Sequence, residues 1–115
     1  MPAPDLPAYL RLRDGLVAAI LDGRYDAGDA LPSVRGLAAE EGVNPLTVAK
    51  AYQTLQDDNV VVVRRGVGMF VAPGAPERLR RDERAVFLTE TWPPIAARIR
   101  ALGLDAATLL AAERA

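Results

Sequence analysis

The amino-acid sequence predicts a mainly α fold with one small β-hairpin: a winged helix-turn-helix followed by a short C-terminal helical dimerisation tail. Three observations predict it. Two short helical patterns, 33–41 and 45–58, are separated only by Gly42-Val43-Asn44, and a glycine in so short a turn marks a helix-turn-helix. The period then changes: Val60-Val61-Val62-Val63-Arg64-Arg65 is β-branched, Gly66-Val67-Gly68 reverses the chain, and Met69-Phe70-Val71-Ala72 returns. Last, residues 77–112 carry more large apolar side chains than so short a segment can bury within itself.

Taken in order, residues 1–6 are expected to form a loose arm. Pro7 opens a first helix that runs through Asp22, with Tyr9, Leu12, Leu16, Ala19 and Ile20 on one face and Gly23 as its stop. Arg24 through Asp29 is a turn-rich connection, after which Leu31 returns to the core. Ser33 is an N-cap for the second helix, whose buried stripe is Val34, Leu37 and Ala38. Gly36 inside it costs ~1 kcal/mol against alanine, so this helix depends on its packing.

The third helix is the one around which the chain is organised. Asn44 caps it, and Pro45 occupies the first helical position, where a missing N–H costs nothing. Val48, Ala51, Tyr52 and Leu55 form the apolar stripe, while Leu46, Thr47, Lys50, Gln53 and Thr54 form the other face. No acidic residue occurs from Val43 through Gln56. A helix whose polar face and N-terminus lack carboxylates suits a DNA groove, because phosphates repel carboxylates and are attracted to helix N-termini. The hairpin must lie against the helices, with Val61, Val63 and Phe70 as candidates for its inward face. Asn59 through Pro76 is also free of acids. Of Arg64 and Arg65, which alternate along the strand, one is expected to point out toward phosphate and the other to cover the hairpin.

Composition excludes other chemistry. The 115 residues include neither cysteine nor histidine, so disulfides, thiol chemistry, the usual zinc sites and histidine-based catalysis are ruled out. No phosphate-binding GxxxxGK[ST] loop and no spaced carboxylate pair in an apolar setting occurs. No catalytic residue, metal or cofactor is expected, and the protein is not read as an enzyme. The net charge of −1 says nothing of nucleic acid; the distribution of charge does. No apolar run approaches the ~18 residues that cross a bilayer, and the N-terminus does not resemble a signal peptide, so a cytoplasmic location and no membrane partner are expected.

The tail begins after Pro73-Gly74-Ala75-Pro76, which reads as a hinge and divides the chain into 7–73 and 76–115. Glu77 onward is helical. Pro93 is expected to push Trp92 out of the α region and break the helix at Trp92-Pro93-Pro94. Helix resumes from Ile95 to Leu102, Gly103 caps it, and Asp105 caps a last helix through Ala111. The surplus of apolar side chains calls for the same segment of a second chain, giving a two-fold homodimer through residues 77–112.

Particular residues carry a family likeness: Tyr9-Leu10, Ile20-Leu21-Asp22-Gly23, Gly28-Asp29-Ala30-Leu31-Pro32-Ser33-Val34-Arg35, Leu37-Ala38, Val43-Asn44-Pro45-Leu46-Thr47-Val48, Ala51-Tyr52 and Gly66-Val67-Gly68-Met69-Phe70-Val71. On them the chain resembles the GntR family of bacterial transcription regulators, and its short-tailed YtrA-like branch most closely, over about residues 7–72. The resemblance implies that Ser33 and Arg35 touch the DNA backbone or bases. It also implies that Asn44, Leu46 and Thr47 sit at the front of the recognition helix, with Gly66 letting the wing tip approach the minor groove. Lys50, Arg64 and Arg65 complete the candidate DNA-binding set. Three positions depart from the family pattern. Leu46 stands where a polar residue is usual, which argues against a base-edge hydrogen bond there, although leucine can meet a thymine methyl. Ala49 stands where some branches place arginine, and Asn59 where glycine usually caps the helix. The implied function is a sequence-specific DNA-binding transcription regulator, a repressor, that binds an inverted-repeat operator in double-stranded DNA as a homodimer, its small-molecule effector, if any, unknown. The alternative is a winged helix serving protein–protein assembly, against which the basic, acid-free wing counts.

Overall fold

Three helices come first among the described residues, and the second and third begin where their capping chemistry says they should; Pro7 precedes the first without a side-chain cap. In the computed structural model, which describes residues 6–114, α1 spans Ala8–Leu21, α2 Val34–Glu41 and α3 Pro45–Asp57. The expected N-terminal arm, apart from Leu6, lies outside the described residues. Ser33 Oγ accepts the Gly36 N–H at 3.0 Å and Asn44 Oδ1 accepts the Leu46 N–H at 2.8 Å, so both helices of the helix-turn-helix are capped by side chains. Gly42 ends α2 in the left-handed region at φ 66°, and its neighbour Val43 donates its N–H to the Ala38 carbonyl. Asn59, at φ 60°, takes the same conformation after α3, which fits its place at a position where glycine is usual.

The chain forms two compact units, one up to Arg80 and one from Arg81. In the first, α3 is central: its Val48, Ala51 and Leu55 are fully buried, and it packs on α1, on α2 and on strand β1. Leu16 and Ile20 of α1, Leu37 and Ala38 of α2, and Leu31 from the connection complete the helical core. Strands β1 (Val61–Arg64) and β2 (Gly68–Val71) pair antiparallel, with Val61 opposite Val71 and Arg64 opposite Gly68. The connection before α2 adds a third extended segment along β2. There the Leu31 N–H donates to the Met69 carbonyl at 2.8 Å, and the Val71 N–H to Asp29 at 2.9 Å. A lone two-stranded hairpin is marginal, and this pairing ties it to the helices.

Two expectations about the hairpin are corrected. Val61 is buried, but Val63, on the same face, is 50% exposed because it lies nearer the free tip of the wing. Phe70 lies on the opposite face, paired with Val62, where it is only half-buried; Val71 takes the inward place beside Val61. The expected hinge is also a packed turn. Ala75 and Pro76 are buried at the start of α4 (Ala75–Val86), and the Arg78 guanidinium donates to the carbonyls of Asp58 and Asn59, both at 3.0 Å.

In the unit from Arg81, the helix does not break at Trp92. Residues Phe87–Thr91 form a π-helical turn, and α5 (Trp92–Ala101) follows directly, with Trp92 itself helical at φ −69°, ψ −44°. The reason is steric. A proline in an α-helix collides with the carbonyl four residues back, and a wider turn relieves that collision. Here the Trp92 N–H reaches the Phe87 carbonyl, five residues back, and the widened turn precedes both Pro93 and Pro94. The Phe87 and Trp92 rings stack with centroids 6.3 Å apart. Gly103 and Asp105 then act as expected. The Leu104 N–H bonds back to Ile99, and Asp105 Oδ2 accepts the Thr108 N–H at the start of α6 (Ala106–Glu113).

Candidate nucleic-acid interface

Three pieces of backbone offer the candidate residues: the front of α3, the front of α2 and the wing. On α3, Asn44 is occupied as the cap, and Leu46 projects with 71% of its surface exposed. Thr47, expected to be exposed, is half-buried, because it lies beside the apolar stripe. Lys50 is exposed, yet its ammonium sits 5.6 Å from the centre of the Tyr9 ring on α1. Such a cation–π contact is worth about 0.5–1 kcal/mol at an exposed site and restrains where the charge can go. Tyr9, half-buried on the apolar face of α1, thus supports a candidate DNA contact.

On α2, Ser33 spends its oxygen on the cap. Gly36 is what gives that cap room: a Cβ there would stand 3.0 Å from Ser33 Oγ. Arg35 follows in the first helical turn and is exposed. Among the described residues it forms no salt bridge, and a cation at a helix N-terminus gains nothing from the macrodipole. The relative placement of α2 and α3 is fixed by Tyr52, whose hydroxyl donates to the Pro32 carbonyl at 2.7 Å, one residue before the Ser33 cap. Burial pushes the Tyr52 hydroxyl pKa up to about 12, with the charges of Tyr25 and Glu40 adding to the effect.

On the wing, register decides between the two arginines. Arg64 stands opposite Gly68, which has no side chain, and so lies diagonally across to Phe70, its guanidinium carbon 4.6 Å from the ring centre. Arg65 lies in the turn that follows, exposed and without a salt bridge among the described residues. Gly66 has φ 77°, and the Val67 N–H closes the turn on the Arg64 carbonyl at 2.9 Å. Ser33 of α2 and Arg64 and Gly66 of the wing come together along one open groove, floored by Leu31, Tyr52 and Met69. Asn44, Leu46, Thr47 and Lys50 do not line it; they form a separate ridge on the front of α3.

Residues 8–71 match the pattern described as bacterial regulatory proteins, gntR family. The chain belongs to the GntR family. This GntR-family chain is 35% identical over 78 residues to the HTH-type transcriptional repressor YtrA of Bacillus subtilis, which covers 68% of the chain and agrees with the short-tailed YtrA-like branch. The chain spans 60% of that repressor's length and only 14% of longer relatives it matches. Among solved structures, a transcriptional regulator from Oenococcus oeni aligns with a TM-score of 0.73 at 29% identity, covering 99% of this chain and 93% of that one. The DNA-binding domain of AraR, solved in complex with operator ORR3, aligns with a TM-score of 0.56 at 27% identity over 58% of this chain and 81% of that one. The mainly helical architecture with its two-stranded hairpin is therefore the winged helix of this family.

Proposed function

We propose that the protein is a sequence-specific DNA-binding transcription regulator, a repressor, that binds an inverted-repeat operator as a homodimer. The observation that carries the reading is the acid-free front of α3, capped by Asn44 and presenting Leu46, Thr47 and Lys50, beside an exposed Arg35 that has no salt bridge among the described residues and a basic wing. AraR's operator complex supports DNA as the partner, and the likeness to YtrA supports repression. Residues 7–73 are assigned the DNA contacts through Ser33, Arg35, Asn44, Leu46, Thr47, Lys50, Arg64, Arg65 and Gly66. Residues 76–115 are assigned dimerisation, with the interface within 77–112. The two-fold axis of such a dimer makes the operator a pseudo-palindrome, with half-sites about one helical turn (~10 base pairs) apart.

Fluorescence anisotropy on an operator and on scrambled DNA tests the assignment. Arg35→Ala and Thr47→Ala should each weaken operator binding by ~1–3 kcal/mol, because both lie at the proposed DNA face and outside the core. Unchanged affinity in both variants removes α3 from the major groove.

A further inference from the structure

Leu46 is out of place on its helix. The other large apolar side chains of α3, Val48, Tyr52 and Leu55, are 0–3% exposed, whereas Leu46 is 71% exposed. Folding does not call for it there. The start of α3 is set by Asn44 and Pro45, and only the backbone N–H of Leu46 takes part in that cap. Its side chain therefore stands in water on a ridge whose other members, Thr47 and Lys50, are polar, within a stretch that has no carboxylate from Val43 through Gln56. An apolar partner protein would be a poor match for so small a patch in such surroundings. The major groove is a better one. Its floor offers donors and acceptors at every base pair but only one apolar group, the C5 methyl of thymine, which 5-methylcytosine shares.

We propose that Leu46 is a specificity-determining residue that reads a C5 methyl group on a pyrimidine, thymine in unmodified DNA, once in each half-site. The proposal rests on the DNA-binding reading above and deepens it. A leucine cannot hydrogen-bond a base edge, so it selects for the methyl and ignores the exocyclic oxygen or amine beside it. Its helix position fixes its reach, because residues at the first turn of a recognition helix are those that approach base edges.

The test uses the full chain and a duplex that the protein itself selects from a randomised library. Each thymine is replaced in turn by deoxyuridine, which removes the methyl and keeps base pairing and O4. One position per half-site should then lose about fourfold in affinity, and both half-sites together about fifteenfold. Leu46→Ala, exposed and so harmless to the fold, should bind the thymine and deoxyuridine duplexes equally at that position. In the wild type, 5-methylcytosine there should outbind plain cytosine; in Leu46→Ala it should not. Wild-type protein that tolerates deoxyuridine everywhere overturns the proposal, as does a deoxyuridine effect that persists undiminished in Leu46→Ala. Selection that yields no preferred sequence, with scrambled DNA bound equally well, removes the DNA-reading assignment itself and this proposal with it.

Discussion

The two compact units treat their apolar side chains in opposite ways. In the unit up to Arg80, the large aliphatic residues Ile20, Val48 and Leu55 are completely buried, and the core draws on all three helices and the hairpin. In the unit from Arg81, no described residue is buried, and Phe87, Leu88, Ile95, Leu102 and Leu110 are between 42% and 70% exposed. The first unit is closed on itself by packing. The second holds its shape by local means: a π turn, a stack of Phe87 on Trp92, a glycine cap and the Asp105 cap. Backbone geometry thus suffices to shape a helix, while burial is what makes a fold self-sufficient. A segment shaped but not buried is one prepared for a partner surface, which is the basis for assigning dimerisation to it.

The sharpest way to break this contrast is to remove the second unit. A chain stopped after Arg80 should remain folded, because it keeps the buried Ala75 and the Arg78 bonds to Asp58 and Asn59. It should be monomeric by light scattering and lose about 10²–10⁴-fold in operator affinity, since the second half-site no longer binds at a high effective concentration. A truncated chain that stays dimeric, or a full-length chain monomeric at micromolar concentration, contradicts the division of labour. Leucine truncations compare the two environments directly. Leu55→Ala should cost about 2–5 kcal/mol in denaturant unfolding, with transfer and cavity terms both paid at a site with no exposure. Leu110→Ala, 70% exposed, should stay within ~0.5 kcal/mol in a dilute monomer. Equal effects would show that the second unit has a core after all.

Smaller effects refine the first unit. Arg65→Ala should flatten the dependence of log affinity on log salt by ~0.9, the contribution of one phosphate, whereas Arg64→Ala should change it less, because Arg64 is held against Phe70. The reverse order would place Arg64 on the phosphate. A modest loss of stability is expected from Tyr52→Phe, about 1 kcal/mol at neutral pH for the lost bond to Pro32. That variant has a signature in alkali. The folded tyrosine has its pKa raised from 10.0 to about 12, so the unfolded chain ionises first and wild-type stability falls as pH rises from 10 toward 12. Phenylalanine at position 52 should flatten that part of the curve, as followed by unfolding at a series of pH values.

Much of this was legible in the sequence where the physics is local. Ser33, Asn44 and Asp105 cap, Gly42 and Gly103 terminate, and Asn59 goes left-handed, because each uses its own side chain or its freedom from one. Alternation told that Val61 and Val63 share a face, but not the register across the turn, which puts Phe70 on the other face with Val62, nor how far the core extends beneath the wing, which is why Val63 is exposed. The break expected at Trp92 treated the α-helix as the only helix available. A widened turn was the alternative, and two successive prolines favour it. Of the candidate interface, the residue types and the absence of acids were readable. The supports were not: Tyr9 meets Lys50 across 41 positions of chain, and Phe70 meets Arg64 only once the strand register is known.

The π turn at Phe87–Thr91 has a consequence for how this segment can vary. A π turn amounts to one residue more than an α-helix needs over the same rise, and one residue corresponds to about 100° of rotation. The surplus is absorbed inside the widened turn, so Ile95 and Ile99 keep the angular phase that an α-helix one residue shorter would give them. Were the same residues wound as an unbroken α-helix, the stripe from Trp92 onward would swing by that ~100°. Deleting one residue between Phe87 and Thr91 would instead leave the stripe in place and return the collision at the prolines, so relatives shorter by one residue there would present the same face.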